Sequence, residues 1–207
     1  MKRTPFFLLG AALVAIALVG CESAVSTAKL VKVTISYEDE TGGTRHLSPG
    51  VWVLVGSDQA NPLFTQDSAD GKAMGLEPLA ETGMRADLAA YLKNHGMVSG
   101  VFAGADTGMT GMTSFSLIAT PGSKLYFATM VAPSNDWFAA PGAGGIELFD
   151  EDGAVNTAAP TIYVWDAGTE EDVMNPHPPD DDGPDDDPTV RILTDSMFSV
   201  TVKVEEI

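Results

Sequence analysis

Apolar positions along this chain recur mainly with period two, in short runs separated by turn residues. Leu30-Val31-Lys32-Val33-Thr34-Ile35-Ser36-Tyr37 alternates and is rich in β-branched residues, which predicts a strand with one buried face. Residues 38–43 read as a turn. Val51-Trp52-Val53-Leu54-Val55 is an unbroken apolar run of strand length, expected to be buried on both faces. Residues 113–119 and 125–132 predict two strands joined by Thr120-Pro121-Gly122-Ser123, a turn sequence. Residues 146–149 lead into Asp150-Glu151-Asp152-Gly153, a hairpin-type turn. Residues 161–165 predict a strand ending at Asp166, 190–193 a short one, and 198–204 a strictly alternating closing strand.

Two stretches are spaced for helices instead. Residues 75–83 predict one short helix and 84–95 a better one, with Met84, Leu88, Tyr91 and Leu92 on one face. Gly96 is placed to cap the second, and Lys93 and His95 fall in its last turn. His95 therefore reads as a helix-end cation rather than a catalytic base. About eight short strands with one or two short helices predict a mainly β fold, an antiparallel β-sandwich.

The N-terminus follows a different rule. Met1-Lys2-Arg3 is basic, and residues 6–20 form a nearly unbroken apolar stretch ending in small residues, the layout of a secretory signal. The stretch is short for a membrane span, which takes about 20 apolar residues; an uncleaved single-pass anchor is the competing reading. Leu18-Val19-Gly20-Cys21 resembles the lipobox of bacterial lipoproteins, in which the cysteine carries lipid. Cys21 is the single cysteine in the chain, so an intramolecular disulfide is excluded. The expected organisation is a lipoprotein signal peptide at 1–20, a lipidated tether at 21–29, and one domain at 30–207. The residue after Cys21 is Glu22 rather than aspartate, which by resemblance favours the outer membrane or cell surface over the inner membrane.

Charge narrows the partners. The formal net charge is −18, and loss of Lys2 and Arg3 with a signal peptide would deepen it. Nucleic acid and anionic lipid are recognised by basic patches, so both are excluded as electrostatic partners, and cations are favoured. The stretch 171–189 is acidic and proline-rich, with Asp180-Asp181-Asp182 and Asp185-Asp186-Asp187. It predicts an exposed, self-repelling loop, with solvated acid as the simpler reading and a metal site as the sharper one. Enzyme inventories fail. No serine nucleophile motif or phosphate-binding glycine loop is present, and His46, His95 and His177 lack zinc spacing.

Three stretches resemble the spondin domain, the N-terminal module of the F-spondin and mindin family. They are Ser48-Pro49-Gly50-Val51-Trp52-Val53 with Asn61-Pro62-Leu63-Phe64; Pro133-Ser134-Asn135-Asp136-Trp137-Phe138; and Trp165-Asp166-Ala167-Gly168-Thr169-Glu170. The resemblance implies a β-sandwich related to C2 domains and a bound calcium ion (Ca2+). Its ligands would include Asp136, Asp166 and Glu170, the last replacing an aspartate often found there. A glutamate used by some animal members on the strand 115–118 has no counterpart here. Read from the residues alone, Asp136 follows a strand and Asp166 ends one, so a sandwich can bring both to one end. Calcium takes six to eight oxygens, which carboxylates, loop carbonyls and water supply. Without the resemblance, Asp136 capping a turn and Asp166 ending a strand would account for both.

The expected function is a lipid-anchored, calcium-binding module of the cell envelope that attaches to an extracellular or periplasmic protein or glycan. The alternative is a structural envelope lipoprotein whose calcium only stabilises the fold. A carboxylate-based hydrolase is a distant third, resting on the Asp136 and Asp166 pair alone.

Overall fold

The computed structural model describes residues 27–170, 187–194 and 197–207. The expected signal peptide, Cys21, most of the tether and the 171–186 part of the acidic loop lie outside the described residues. Eleven strands and two helices are found among those described, in the order β1 (Lys29–Asp39), β2 (His46–Leu47), β3 (Gly50–Gly56), α1 (Leu76–Thr82), α2 (Ala86–Asn94), β4 (Val98–Phe102), β5 (Thr110–Ala119), β6 (Ser123–Ala132), β7 (Trp137–Pro141), β8 (Ile146–Glu147), β9 (Ile162–Asp166), β10 (Arg191–Ile192) and β11 (Phe198–Glu206).

These make a β-sandwich of two antiparallel sheets. The smaller has the order β11-β1-β5, and the larger runs β10-β9-β7-β6-β3-β4 with β2 and β8 added beside β6. Alternation decides which side chains fill the space between them. Val31, Val33, Ile35 and Tyr37 of β1 and Phe198, Val200, Val202 and Val204 of β11 point inward. They meet Leu125, Phe127 and Val131 of β6 from the opposite sheet. The helices cover the other face of the larger sheet. Leu76, Leu79, Leu88 and Leu92 pack there against Val51, Val53, Tyr126, Ala128, Phe138 and Trp165. β3 and β6 are thus buried on both faces, which explains why their sequences are continuously apolar rather than alternating.

Several expectations need correction. Met84 does not join the buried face of α2; it precedes the helix and is exposed, while Leu88 and Leu92 are buried as expected. The expected tether runs to residue 29, whereas Lys29 already belongs to β1. Residues 137–141, 98–102 and 46–47 are strands that the period-two reading did not anticipate. His95 sits at the α2 C-terminus with Nδ1 2.8 Å from the Tyr91 carbonyl, as a helix-end residue should. No helix among the described residues is long and apolar enough to cross a membrane.

The two ends of the sandwich differ. At one end lie the start of β1, the 120–122 turn and the C-terminus, where the Ile207 N–H donates to the Leu30 carbonyl. At the other lie Asp39, the β2 entry and the 133–136 loop, because β2 pairs with the last residues of β6. Arg45 links them: its N–H donates to Asp39 Oδ2 at 2.9 Å, and its guanidinium lies 4.8 Å from the Trp137 ring centroid.

Candidate functional site

Asp136 and Asp166 come together at this second end. β7 and β9 are antiparallel neighbours in which Trp137 faces Asp166. One residue further on, the Ala167 N–H donates to the Asp136 carbonyl at 3.2 Å. The 133–136 loop is fastened by Ser134, whose Oγ accepts the Trp137 N–H at 3.1 Å. Both aspartates are fully buried. Trp137 and Trp165 are buried as well, on opposite faces of the larger sheet. They pack the core beneath the acids, as the sequence implied.

The two carboxylates grip one loop. Oδ2 of Asp136 accepts the Thr169 N–H at 2.8 Å, the Thr169 hydroxyl at 3.1 Å and the Glu170 N–H at 3.2 Å. Oδ1 of Asp166 accepts the Gly168 N–H at 2.6 Å. Gly168 makes this curl possible. Its φ of +64° is in the left-handed region, and a Cβ there would lie 2.6 Å from the Pro188 carbonyl carbon. Glu170 enters the arrangement through its backbone N–H, and the residues that follow it are outside those described.

Two basic residues that sequence reading missed complete the loop. Arg191 faces Asp166 across β10 and β9, and its Nη2 pairs with Asp166 Oδ2. Its Nη1 donates to the Asp187 carbonyl at 2.6 Å. Lys72 Nζ donates to the Ala167 carbonyl at 3.0 Å and the Pro188 carbonyl at 3.3 Å. The described end of the acidic stretch is therefore pinned against the 166–170 loop. The one signal for Arg191 was its position as the first basic residue after the acidic stretch; Lys72 had none. Asp187 itself is exposed, and hydrogen bonds from Thr189 hold its carboxyl below the usual aspartate range.

A second buried aspartate site adjoins the first through Arg45 and Trp137. Asp39 Oδ1 accepts the Thr41 N–H at 3.0 Å and its hydroxyl at 2.5 Å. Burial alone would raise the Asp39 pKa. The hydrogen bonds from Thr41, Arg45 and Gly43 outweigh it and hold the group below its ordinary value. Burial, opposed by the nearby Asp39 charge, lowers the Arg45 pKa.

Among the described residues no group of three or more His, Cys, Asp or Glu side chains converges as a metal cage. Paired buried carboxylates beside loop carbonyls are nonetheless the oxygen donor type that suits a hard cation. An ion there would share Asp166 with Arg191 and Asp136 with the loop N–H groups. Comparison with protein-family models and with curated proteins gives no match for this chain.

Proposed function

We propose that this chain is a lipid-anchored module of the cell envelope, of spondin type, that binds an extracellular or periplasmic protein or glycan. Cys21 carries the lipid, and a calcium ion is held at the 133–136 and 166–170 loops. Asp136, Asp166 and Glu170 with neighbouring carbonyls would be its ligands. The observation that carries this reading is the placement of two fully buried aspartates on adjacent strand ends, both engaged by one five-residue loop. Burying two carboxylates side by side is unfavourable unless positive charge accompanies them. The same end lies at the far end of β1 from the expected tether.

Thermal melting in calcium and then in chelator tests the metal. At a free calcium concentration about 100 times the dissociation constant, binding adds roughly 2.7 kcal/mol, a rise of roughly 5–10 °C for a domain of this size. An unchanged melt, equal in Asp136→Ala and wild type, would rule the ion out. A structural envelope lipoprotein whose calcium only stabilises the fold is the second reading, favoured by the burial of Asp166 and its pairing with Arg191 inside the fold rather than at an open surface. It predicts that protease applied to intact cells leaves the chain uncut.

A further inference from the structure

Several of the exposed apolar side chains of this acidic protein fall in one stretch of the chain. Between Met97 and Ala119 the only charged residue is Asp106. Val98, Val101, Met109, Met112 and Ile118 in this stretch are all exposed. The stretch contains β4 and β5, which are edge strands of the two sheets and lie on the same side.

β5 is unusual for an edge. It has ten residues, no proline and no charge, and its register with β1 runs unbroken from Glu38↔Thr110 to Lys29↔Ala119. Among the described residues it pairs with β1 alone. Edge strands normally carry charges, proline or bulges, or are very short, because unpaired backbone groups invite another strand. Two of the other edges follow that rule: β11 carries Lys203, Glu205 and Glu206, and β10 has two residues, while β4, also uncharged, is half as long as β5.

We propose that β5 is a homodimer edge, pairing antiparallel with β5 of a second copy to make a six-stranded sheet. The chain is strongly acidic, which opposes contact between copies in general, but β5 carries no charge, so two copies meeting at this edge avoid like-charge pairs across it. The β5 sequence also matches itself. With Phe115 on the two-fold axis, Met112 of each copy faces Ile118 of the other, and Ser114 faces Ser116. All four lie on the exposed face of the strand. The apolar residues then cover each other, and the hydroxyls form cross-strand pairs. Phe115 sits partly exposed at the edge, stacked on Phe102 at 5.0 Å and Trp52 at 6.0 Å, so the axis falls on a rigid aromatic column. The proposal is independent of the calcium site.

Sedimentation and cross-linking of the full-length chain carrying Cys21→Ser test it. The expected species is a dimer across the micromolar range. Ser114→Lys with Ser116→Lys sets like charges opposite each other twice and gives a monomer with unchanged circular dichroism, since both positions are exposed. Ser114→Lys with Ser116→Glu sets opposite charges face to face and restores the dimer. A mixture of Ser114→Cys and Ser116→Cys chains forms a disulfide, whereas either alone does not. Identical positions are then diagonal neighbours about 7–8 Å apart, beyond the reach of a disulfide. A monomeric wild type, a dimeric double-lysine variant, or equal cross-linking of a single variant and the mixture overturns the proposal.

Discussion

Replacing Arg191 by methionine removes the guanidinium that faces Asp166 while keeping an unbranched apolar stem in place of the arginine stem. Deleting one partner of a buried ion pair costs about 3–5 kcal/mol, because the other charge stays buried. Here the Asp166 side chain is 0% exposed and that of Arg191 is 25% exposed. Water reaches the cation's side of the pair, so the expected loss is discounted to roughly 2–4 kcal/mol. The 3.7 Å contact of Arg191 with exposed Asp187 adds little. For a domain of this size the melting temperature should fall by roughly 5–15 °C, measured by calorimetry at neutral pH. Asp166→Asn in the same chain should recover much of the loss, and the double-mutant cycle then isolates the pair from the Gly168 N–H bond that remains. If the proposed calcium ion shares Asp166, added calcium should raise the melt of Arg191→Met more than that of wild type. A single variant melting within about 1 °C of wild type would refute the reasoning, since it would mean that Asp166 needs no counter-charge from Arg191.

Asp39→Asn should cost about 1–3 kcal/mol at neutral pH by weakening hydrogen bonds to a charged acceptor. Because the folded-state pKa of Asp39 is depressed, its contribution is present above the ordinary aspartate value and is lost as pH falls through the folded value. Melting curves of variant and wild type should therefore converge in acid. Gly168→Ala should lose more than about 2 kcal/mol from left-handed strain and contact with the 187–189 backbone, read as a lower urea midpoint. Lys72→Met should cost about 1 kcal/mol or less, since its ammonium is partly solvated. It should speed limited proteolysis near Pro188, because one of the two cations pinning that segment is gone.

The long strands were legible because each carries a single unambiguous period. β1 alternates from Val31 to Tyr37 and β11 from Phe198 to Val204, and burial follows the alternation residue by residue. β7 was not, since Trp-Phe-Ala-Ala-Pro has neither alternation nor β-branching. It is a strand because β6 and β9 sandwich it in the sheet, a tertiary cause that local sequence does not carry. β4 hid for a related reason: Gly100 interrupts its pattern, and that glycine is needed because the Trp52 indole lies where a Cβ would be. Met84 was placed on a helical face by spacing alone, yet Gly83, with φ of +70°, separates it from α1, and α2 starts only at Ala86. At the candidate site, the proximity of Asp136 and Asp166 could be read from their positions beside strand ends. Their hydrogen-bond partners could not, because Arg191 and Lys72 reach the loop from segments distant in sequence.

β1 has a mechanical consequence. It spans about 35 Å and lies between β5 and β11, with the chain entering at Lys29 and the Asp39 end next to the paired aspartates. A force between an N-terminal anchor and something held at the aspartate end would run along this strand. Antiparallel hydrogen bonds lie perpendicular to the strands, so such a pull would load both ladders in shear, many bonds at once, rather than peeling them one by one. If the N-terminal end is anchored, the domain would resist being drawn out through two ladders, whereas a load entering through β11, which among the described residues pairs with β1 alone, would shear one.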